Sequence, residues 1–279
     1  MDPSGFVTRQ AMPFDSELFE IIGADETLTI AKHEMELLPP FPPDSIIHDA
    51  ACGLGPVTQS ILATSPPSTI QIQASDSAPP MVGIYNQIAA AKSWPSRAVV
   101  MDAQSLRAVP DGAFTHVFLS FSLPIIDDPA APAREMHRTL RPGGTAVTAF
   151  WLQIPQGECA GDARRAVWGP GARLAVEPKP QHKDRGYLRS LLVGGGFRHQ
   201  DVELHERSAF LPVADLDRFA AAVWTAEDED LWDEAVGKYK ELLPGKSGFR
   251  VDGDGFRVDG DGRITLEAIA QIAVVRKTA

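Results

Sequence analysis

A short glycine loop supplies the first residues whose types and spacing could do chemistry. The segment Asp49-Ala50-Ala51-Cys52-Gly53-Leu54-Gly55 follows an apolar run and precedes a stretch of helical character. Glycine adopts positive φ angles at low cost and lets the backbone come close to a ligand. The start of the following helix offers unpaired N–H groups to a carboxylate or a phosphate. By itself the loop is weakly diagnostic, because dehydrogenases, flavoproteins and ordinary strand-to-helix turns share it.

Two further acidic residues follow the next two predicted strands. Asp76 comes after the strand predicted at 69–74, and Asp102 ends the strand predicted at 97–101. Ligands of open α/β folds bind at the carboxyl ends of the strands, where a carboxylate can accept hydrogen bonds from both ribose hydroxyls. The later acid is placed to accept from an exocyclic adenine amine. Helix capping or turn formation explains any one of these acids equally well, but all three in register with the loop favour a binding edge.

The elements that must position these residues alternate along the chain. Strands are predicted at 45–50, 69–74, 97–101, 114–120, 145–151, 201–210 and 264–277, and helices at 14–38, 56–63, 80–92, 130–140 and 186–194. Such alternation indicates βαβ units and a mainly parallel sheet with right-handed crossovers. We therefore predict an α/β fold with a Rossmann-like, seven-stranded, mostly parallel sheet. Its last strand is antiparallel, helices cover both faces, and helical insertions form a lid.

Proline-rich and irregular stretches divide the chain. The run Pro39-Pro40-Phe41-Pro42-Pro43 ends any helix before it, so we expect an N-terminal helical cap at 1–43. Residues 44–279 are expected to form the main domain, with lid insertions at about 153–185 and 213–243. A tandem repeat, Gly248–Asp254 and Gly255–Asp261, lacks the ligand spacing of a calcium loop. We interpret it as a duplicated, flexible Asp-Gly turn.

Composition limits the partners of the chain. A net charge of −11 and a pI near 5.1 argue against nucleic acid and anionic membranes, which bind basic surfaces. The sequence contains no apolar run of the ~20 residues needed to cross a bilayer, and its start lacks the pattern of a secretory signal. With only two cysteines, Cys52 and Cys159, a reducing cytoplasmic location is expected.

From about residue 40 onward, the chain resembles the class I S-adenosylmethionine-dependent methyltransferases. The family's first motif resembles residues 47–55, its acid after the second strand corresponds to Asp76, and its adenine-side acid to Asp102-Ala103. Its Leu-x-Pro-Gly-Gly turn resembles Leu140–Gly144, and Ala51 stands where the family has its first glycine. The chain is similar to small-molecule methyltransferases of fungal secondary metabolism, such as the gliotoxin thiol-methyltransferases.

The resemblance implies S-adenosylmethionine as cofactor and methyl transfer to an oxygen, sulfur or nitrogen atom of a small molecule. Backbone carbonyls of Ala51 and Ser120 would accept from the ammonium of its methionine end. The ring of Phe121 would border the sulfonium, which an aromatic face attracts, although a buried core position is equally consistent. The implied cofactor-binding residues are Asp49, Ala51, Cys52, Gly53, Gly55, Asp76, Ser77, Met81, Asp102, Ala103, Ser120 and Phe121.

Methyl transfer needs alignment above all, and an acceptor of low acidity also needs a general base. His33 and His182 are the candidate catalytic bases, and Trp151, Trp168 and Trp224 are the candidate substrate-binding residues. A nicotinamide or flavin oxidoreductase is less consistent, because Thr58 stands where a third glycine would be. A protein of this fold that binds the cofactor without transferring methyl, as a pericyclisation catalyst or a regulator, stays an alternative.

Overall fold

The computed structural model describes residues 24–122, 126, 128–172, 180–222, 231–252 and 263–278. The strands are β1 (Ile46–Ala50), β2 (Gln71–Asp76), β3 (Ser96–Val100), β4 (Phe114–Ser120), β5 (Leu140–Gln153), β6 (Val202–Val213), β7 (Phe249–Asp252) and β8 (Arg263–Arg276). The helices are α1 (Ala24–Glu36), α2 (Pro56–Ala63), α3 (Pro79–Ala91), α4 (Ala130–Thr139), α5 (Pro155–Trp168), α6 (Tyr187–Gly194), α7 (Leu216–Ala222) and α8 (Trp232–Leu242). Short 3₁₀ turns cover Pro180–Lys183, His199–Asp201 and Leu243–Gly245.

The strands form one sheet in the order β3-β2-β1-β4-β5-β8-β6. Strand β1 pairs in parallel with β2 and β4, and the outer pairs β2–β3 and β4–β5 are also parallel. The direction of strand succession reverses between β1 and β4, and such a reversal creates the crevice where open α/β sheets bind ligands. The predicted α/β class and its mostly parallel sheet with antiparallel final strands are confirmed.

The chain groups into two compact units. One contains Thr27–Leu152, Lys179–Arg207 and Ala270–Ala279; the other contains Met1–Glu26, Gln153–Pro178 and Ser208–Ile269. In the first, β4 is buried on both faces, with Val117 and Phe118 fully enclosed, as a central parallel strand must be. In the second, α5 and α8 pack around Cys159, Phe219 and Tyr239, all nearly or fully buried. The predicted division into a cap at 1–43 and a domain at 44–279 stays a prediction.

Two local expectations differ from the structure, and a third is tested only in part. The predicted Leu140–Gly144 turn lies inside β5, because its backbone is paired: the Gly143 N–H donates to the Lys277 carbonyl (2.7 Å), and the Lys277 N–H donates to the Gly144 carbonyl (2.8 Å). Part of the repeat interpreted as a turn forms β7, which pairs antiparallel with β8; residues 253–262 lie outside the described part. Of the helix predicted at 14–38, residues 24–36 form α1, and residues 1–23 are also outside the described part. In the described ranges, no helix has both the length and the apolar character to span a bilayer.

Candidate active site

The glycine loop after β1 holds three residues in left-handed backbone conformation. The φ angles are 50° at Ala51, 50° at Gly53 and 85° at Gly55. A Cβ atom on Gly55 would lie 2.8 Å from ring atoms of both Tyr85 and Trp94, whereas one on Gly53 would meet nothing within 4 Å. Packing and backbone angle therefore both require glycine at 55, and at 53 the backbone angle alone favours it.

The carboxylate of Asp49, at the end of β1, accepts hydrogen bonds from the start of α2. Its Oδ2 atom accepts hydrogen bonds from the N–H (3.1 Å) and the hydroxyl (2.7 Å) of Thr58, the third residue of α2. The Tyr85 hydroxyl donates to Thr58 Oγ1 (2.9 Å) and lies 2.7 Å from the Ser96 hydroxyl. Burial raises the pKa of Asp49 to about 7, an effect that the Thr58 bonds oppose and the charge of Asp76 reinforces. These contacts anchor the start of α2, and a direct contact of Asp49 with a ligand stays a prediction.

The carboxylate of Asp76 connects the ends of β1 and β2. Its Oδ2 atom accepts from the Gly53 N–H (3.0 Å), and its Oδ1 atom accepts from the Ala78 N–H (2.9 Å). The loop is further held by the Cys52 N–H, which donates to the Ser75 carbonyl (2.9 Å). A carboxylate has about four acceptor positions, so the half-buried Asp76 can accept further hydrogen bonds from a diol.

Three more candidate cofactor residues lie around α3 and β3. Ser77 is exposed, and Met81, in the first turn of α3, is half-buried. Asp102 follows β3 with an exposed side chain that accepts from the Gln104 N–H (2.8 Å), and Ala103 beside it belongs to the hydrophobic core. The parallel register β1–β2–β3 brings the ends of these strands to the edge where the glycine loop lies.

The end of β4 carries a feature that the sequence interpretation missed. The Ser120 hydroxyl donates a 2.5 Å hydrogen bond to Glu34 Oε1, on α1. The next residue, Phe121, has a φ angle of 61°, and its ring stacks on Trp151 with centroids 4.5 Å apart. Glu34 occupies the place of an apolar residue, four positions after the buried Ile30. An acid on the apolar stripe of a helix was the signal that could have identified it.

The remaining candidates are distributed over both units. His33 pairs with Glu36 through a 2.8 Å contact to its Nδ1 atom. His182 is 9% exposed and packs edge-on against Phe150 and, tilted, against Tyr187. In the second unit, the Trp168 ring lies 5.0 Å from the Arg164 guanidinium. Trp224 lies outside the described residues.

Comparisons with known proteins show which domain and which folds this chain resembles. Residues 48–148 match the family model described as a methyltransferase domain. The methyltransferase tpcH of Aspergillus fumigatus is 25% identical over 224 residues, covering 73% of this chain and 79% of tpcH. The YcgJ protein of Bacillus subtilis shares the fold with a TM-score of 0.56 at 16% identity, covering 90% of this chain and 98% of that one. A phosphoethanolamine N-methyltransferase of Haemonchus contortus, solved with phosphomonomethylethanolamine and S-adenosylhomocysteine, gives a TM-score of 0.58 at 15% identity and covers 97% of this chain and 59% of that one.

The fold is Rossmann-like, and the acidic edge lies beside its glycine loop, where sheets of this type bind ligands. The matching domain model identifies residues 48–148 as a methyltransferase domain, and S-adenosylmethionine is the cofactor that such a domain implies. The residues present fit this molecule. Space is open at the Gly53 Cβ position, and Asp76 and Asp102 offer carboxylate oxygens for hydroxyl and amine donors.

Proposed function

We propose that this methyltransferase acts on an oxygen, sulfur or nitrogen atom of a small organic molecule, of the kind made in fungal secondary metabolism. The observation that carries the proposal is the Gly53–Asp76 hydrogen bond, which joins the glycine loop to the acid after β2 at the ligand edge of the sheet. The similarity to tpcH, a fungal methyltransferase, supports the choice of acceptor. A reducing cytoplasmic location belongs to the same proposal; Cys52 and Cys159 are free thiols.

The proposed roles divide among the ends of successive strands. The cofactor, when bound, supplies a methyl group activated by a sulfonium centre. Asp76 binds the ribose hydroxyls, and Asp102 accepts from the adenine amine. The backbone carbonyls of Ala51 and Ser120 accept from the ammonium at the methionine end. Cys52, Gly55, Ser77, Met81 and Ala103 complete the proposed cofactor surface.

The aromatic pair beyond β4 is the proposed boundary between donor and acceptor. The stacked rings of Phe121 and Trp151 present a flat, polarisable surface, and the face of such a ring attracts a cation. This supports an acceptor that is planar or apolar. Trp168 and Trp224 are proposed as further substrate contacts.

A general base is needed only for a poorly acidic acceptor. His33 and His182 remain the proposed candidates for that role. With a thiol or a phenol that ionises in solution, H33A and H182A keep the wild-type kcat. With an amine, the variant that lacks the base loses kcat.

The test is transfer of a labelled methyl group. The protein is incubated with methyl-labelled S-adenosylmethionine and a panel of phenols, thiols, carboxylates and amines, and labelled products are counted. We expect transfer to at least one class, abolished in D76A. Tight binding of the cofactor with no transfer to any class would favour the non-methylating alternative instead. Preferential binding of NADH would contradict the assignment of the site.

A further inference from the structure

Helix α1 is joined to the carboxyl end of β4 by one buried hydrogen bond. Glu34 has no exposed surface, and its Oε1 atom accepts from the Ser120 hydroxyl at 2.5 Å. Its other oxygen, Oε2, has no hydrogen-bond partner in the described part of the chain. The pairing is therefore a single contact between an enclosed carboxyl group and the last residue of β4.

Burial of this carboxyl group lowers the stability of the folded protein. Burying a polar atom without a hydrogen bond costs about 1–3 kcal/mol, and the Asp49 carboxylate nearby disfavours a second negative charge. Burial, opposed by the Ser120 bond, raises the pKa of Glu34 to about 8, so the group is mainly a neutral acid at pH 7. An apolar residue at this enclosed position, one helical turn after the buried Ile30, would not carry this cost. The contact with Ser120 is the one thing that an apolar residue cannot supply.

Ser120 stands where the backbone changes direction. Up to Ser120, β4 runs in register with β5, and Phe121 then takes a φ angle of 61° while its N–H donates to the Ala149 carbonyl (2.8 Å). The Ser120 carbonyl lies on the peptide unit between these two conformations. The Phe121 N–H bond holds this peptide unit from one side, and the Glu34 bond holds Ser120 on the other, so the two bonds together set the direction of the Ser120 carbonyl.

We propose that Glu34 is a positioning residue for the cofactor: it holds Ser120 so that the Ser120 carbonyl accepts from the ammonium of the methionine end. The inference rests on the proposed placement of the cofactor at this edge. It assigns to α1 a role in binding one part of the ligand, and predicts that the adenosine part binds independently of Glu34.

Two ligands separate this role from a purely structural one. S-Adenosylhomocysteine carries the amino-acid end, and 5′-methylthioadenosine has the same adenosine and thioether but no ammonium or carboxylate. Their dissociation constants are measured by calorimetry on wild type, E34A, E34Q, S120A and the double variant E34A/S120A. E26A is the matched control, because Glu26 lies on the same helix, is 1% exposed, and also makes a side-chain hydrogen bond, from Gln156.

We expect E34A and S120A each to weaken S-adenosylhomocysteine about tenfold, the size of one hydrogen bond to a charged or polar partner. The double variant should lose no more than either single variant. E34Q should bind within about twofold of wild type, because its amide oxygen can accept from Ser120. Binding of 5′-methylthioadenosine should not change in any of these variants, and E26A should bind both ligands like wild type.

Wild-type affinity of E34A and S120A for S-adenosylhomocysteine would overturn the proposal, as would equal weakening of both ligands. If E34A does not fold, S120A carries the same test with a smaller change in volume. Failure of the wild-type protein to bind either ligand would instead refute the cofactor placement on which the inference rests.

Discussion

Thr58 donates two hydrogen bonds to the same oxygen of Asp49, one from its backbone N–H and one from its hydroxyl. The pair closes the first turn of α2 onto the end of β1, directly below the glycine loop. The Tyr85 hydroxyl, which donates to Thr58 Oγ1, extends the same network to α3. Thr58, on α2, therefore connects this helix to β1 through Asp49 and to α3 through Tyr85.

The first prediction concerns this threonine. T58V keeps the shape of the side chain but removes the hydroxyl donor to Asp49 and the acceptor of Tyr85. We expect the free energy of unfolding to fall by about 2 kcal/mol, as for loss of a buried hydrogen bond to a charged group. Urea unfolding measures this. T64V is the control, since the hydroxyl of the exposed Thr64 donates to the Ile61 carbonyl at the end of α2; equal losses in the two variants would contradict the prediction.

The second prediction compares the two glycines of the loop. G53A incurs only the strain of a left-handed alanine, about 1–2 kcal/mol, because its Cβ meets nothing within 4 Å. G55A incurs the same strain and also a clash with Tyr85 and Trp94 at 2.8 Å. We therefore expect its free energy of unfolding to fall by about 1–3 kcal/mol more than that of G53A. Thermal and urea unfolding of both variants decide this, and equal stabilities would be inconsistent with the packing around Gly55.

The third prediction concerns Asp76. D76N keeps one oxygen acceptor but loses the charge and one acceptor position, so binding of the ribose hydroxyls should weaken about tenfold or more. S-Adenosylhomocysteine and 5′-methylthioadenosine both contain this ribose, so both should weaken, unlike the pattern expected for E34A. D111N serves as control, because Asp111 is exposed and pairs with Arg138. Weakening of only one ligand would assign Asp76 to another part of the cofactor.

The fourth prediction is a loss of stability as the pH rises from 6.5 to 8. Burial raises the pKa of Glu34 to about 8, and that of Glu26 to about 8 against a partly compensating Gln156 hydrogen bond. Between their ordinary pKa of 4.5 and about 8, the folded state binds more protons than the unfolded state, so stability falls as pH increases. Each such group contributes about 1.4 kcal/mol per pH unit. Burial of His48 and His116, whose pKa values are lowered to about 4, has the opposite effect, most of it below pH 6.5.

The measurement is urea unfolding of wild type and E34Q at pH 6.5 and pH 8. Asp49, whose raised pKa of about 7 lies in the same window, contributes to both proteins, and in E34Q it does so without the charge of Glu34 beside it. We expect wild type to lose about 2 kcal/mol or more over this range, and E34Q to lose about 1 kcal/mol less. Parallel pH dependences of the two proteins would mean that Glu34 does not change its ionisation there.

The sequence was sufficient for the parallel part of the fold, because that part follows local rules. The apolar run at 45–50 predicts β1, Gly53 and Gly55 predict the loop, and Pro56 predicts the start of α2. Each of these elements lies close to its predicted position. The order of strands and helices along the chain is enough to predict that Asp76 lies at the end of β2. The matched methyltransferase domain, 48–148, covers this same region.

What the sequence could not supply were contacts between distant segments. Glu34 and Ser120 are 86 residues apart, and no periodicity links an acid on α1 to the end of β4. The Leu140–Gly144 segment has the composition of a turn, but pairing with Lys277, far along the chain, places it in a strand. Likewise, the Asp-Gly repeat reads locally as a turn, and β7 forms because β8 offers it a partner. In each case a tertiary partner overrides local preference.

Ala51 adopts a φ angle of 50° at the position where similar methyltransferases carry a glycine. The methyl group of Ala51 therefore strains the backbone. Replacing an alanine by glycine usually lowers the stability of a protein, but at this position we expect it to raise the stability. A left-handed alanine lowers the stability of the folded state by about 1–2 kcal/mol. A glycine gives the unfolded chain more conformational entropy, which lowers the free energy of unfolding by about 0.4–1 kcal/mol. The substitution A51G should therefore raise the free energy of unfolding by up to about 1.5 kcal/mol, measured by urea unfolding.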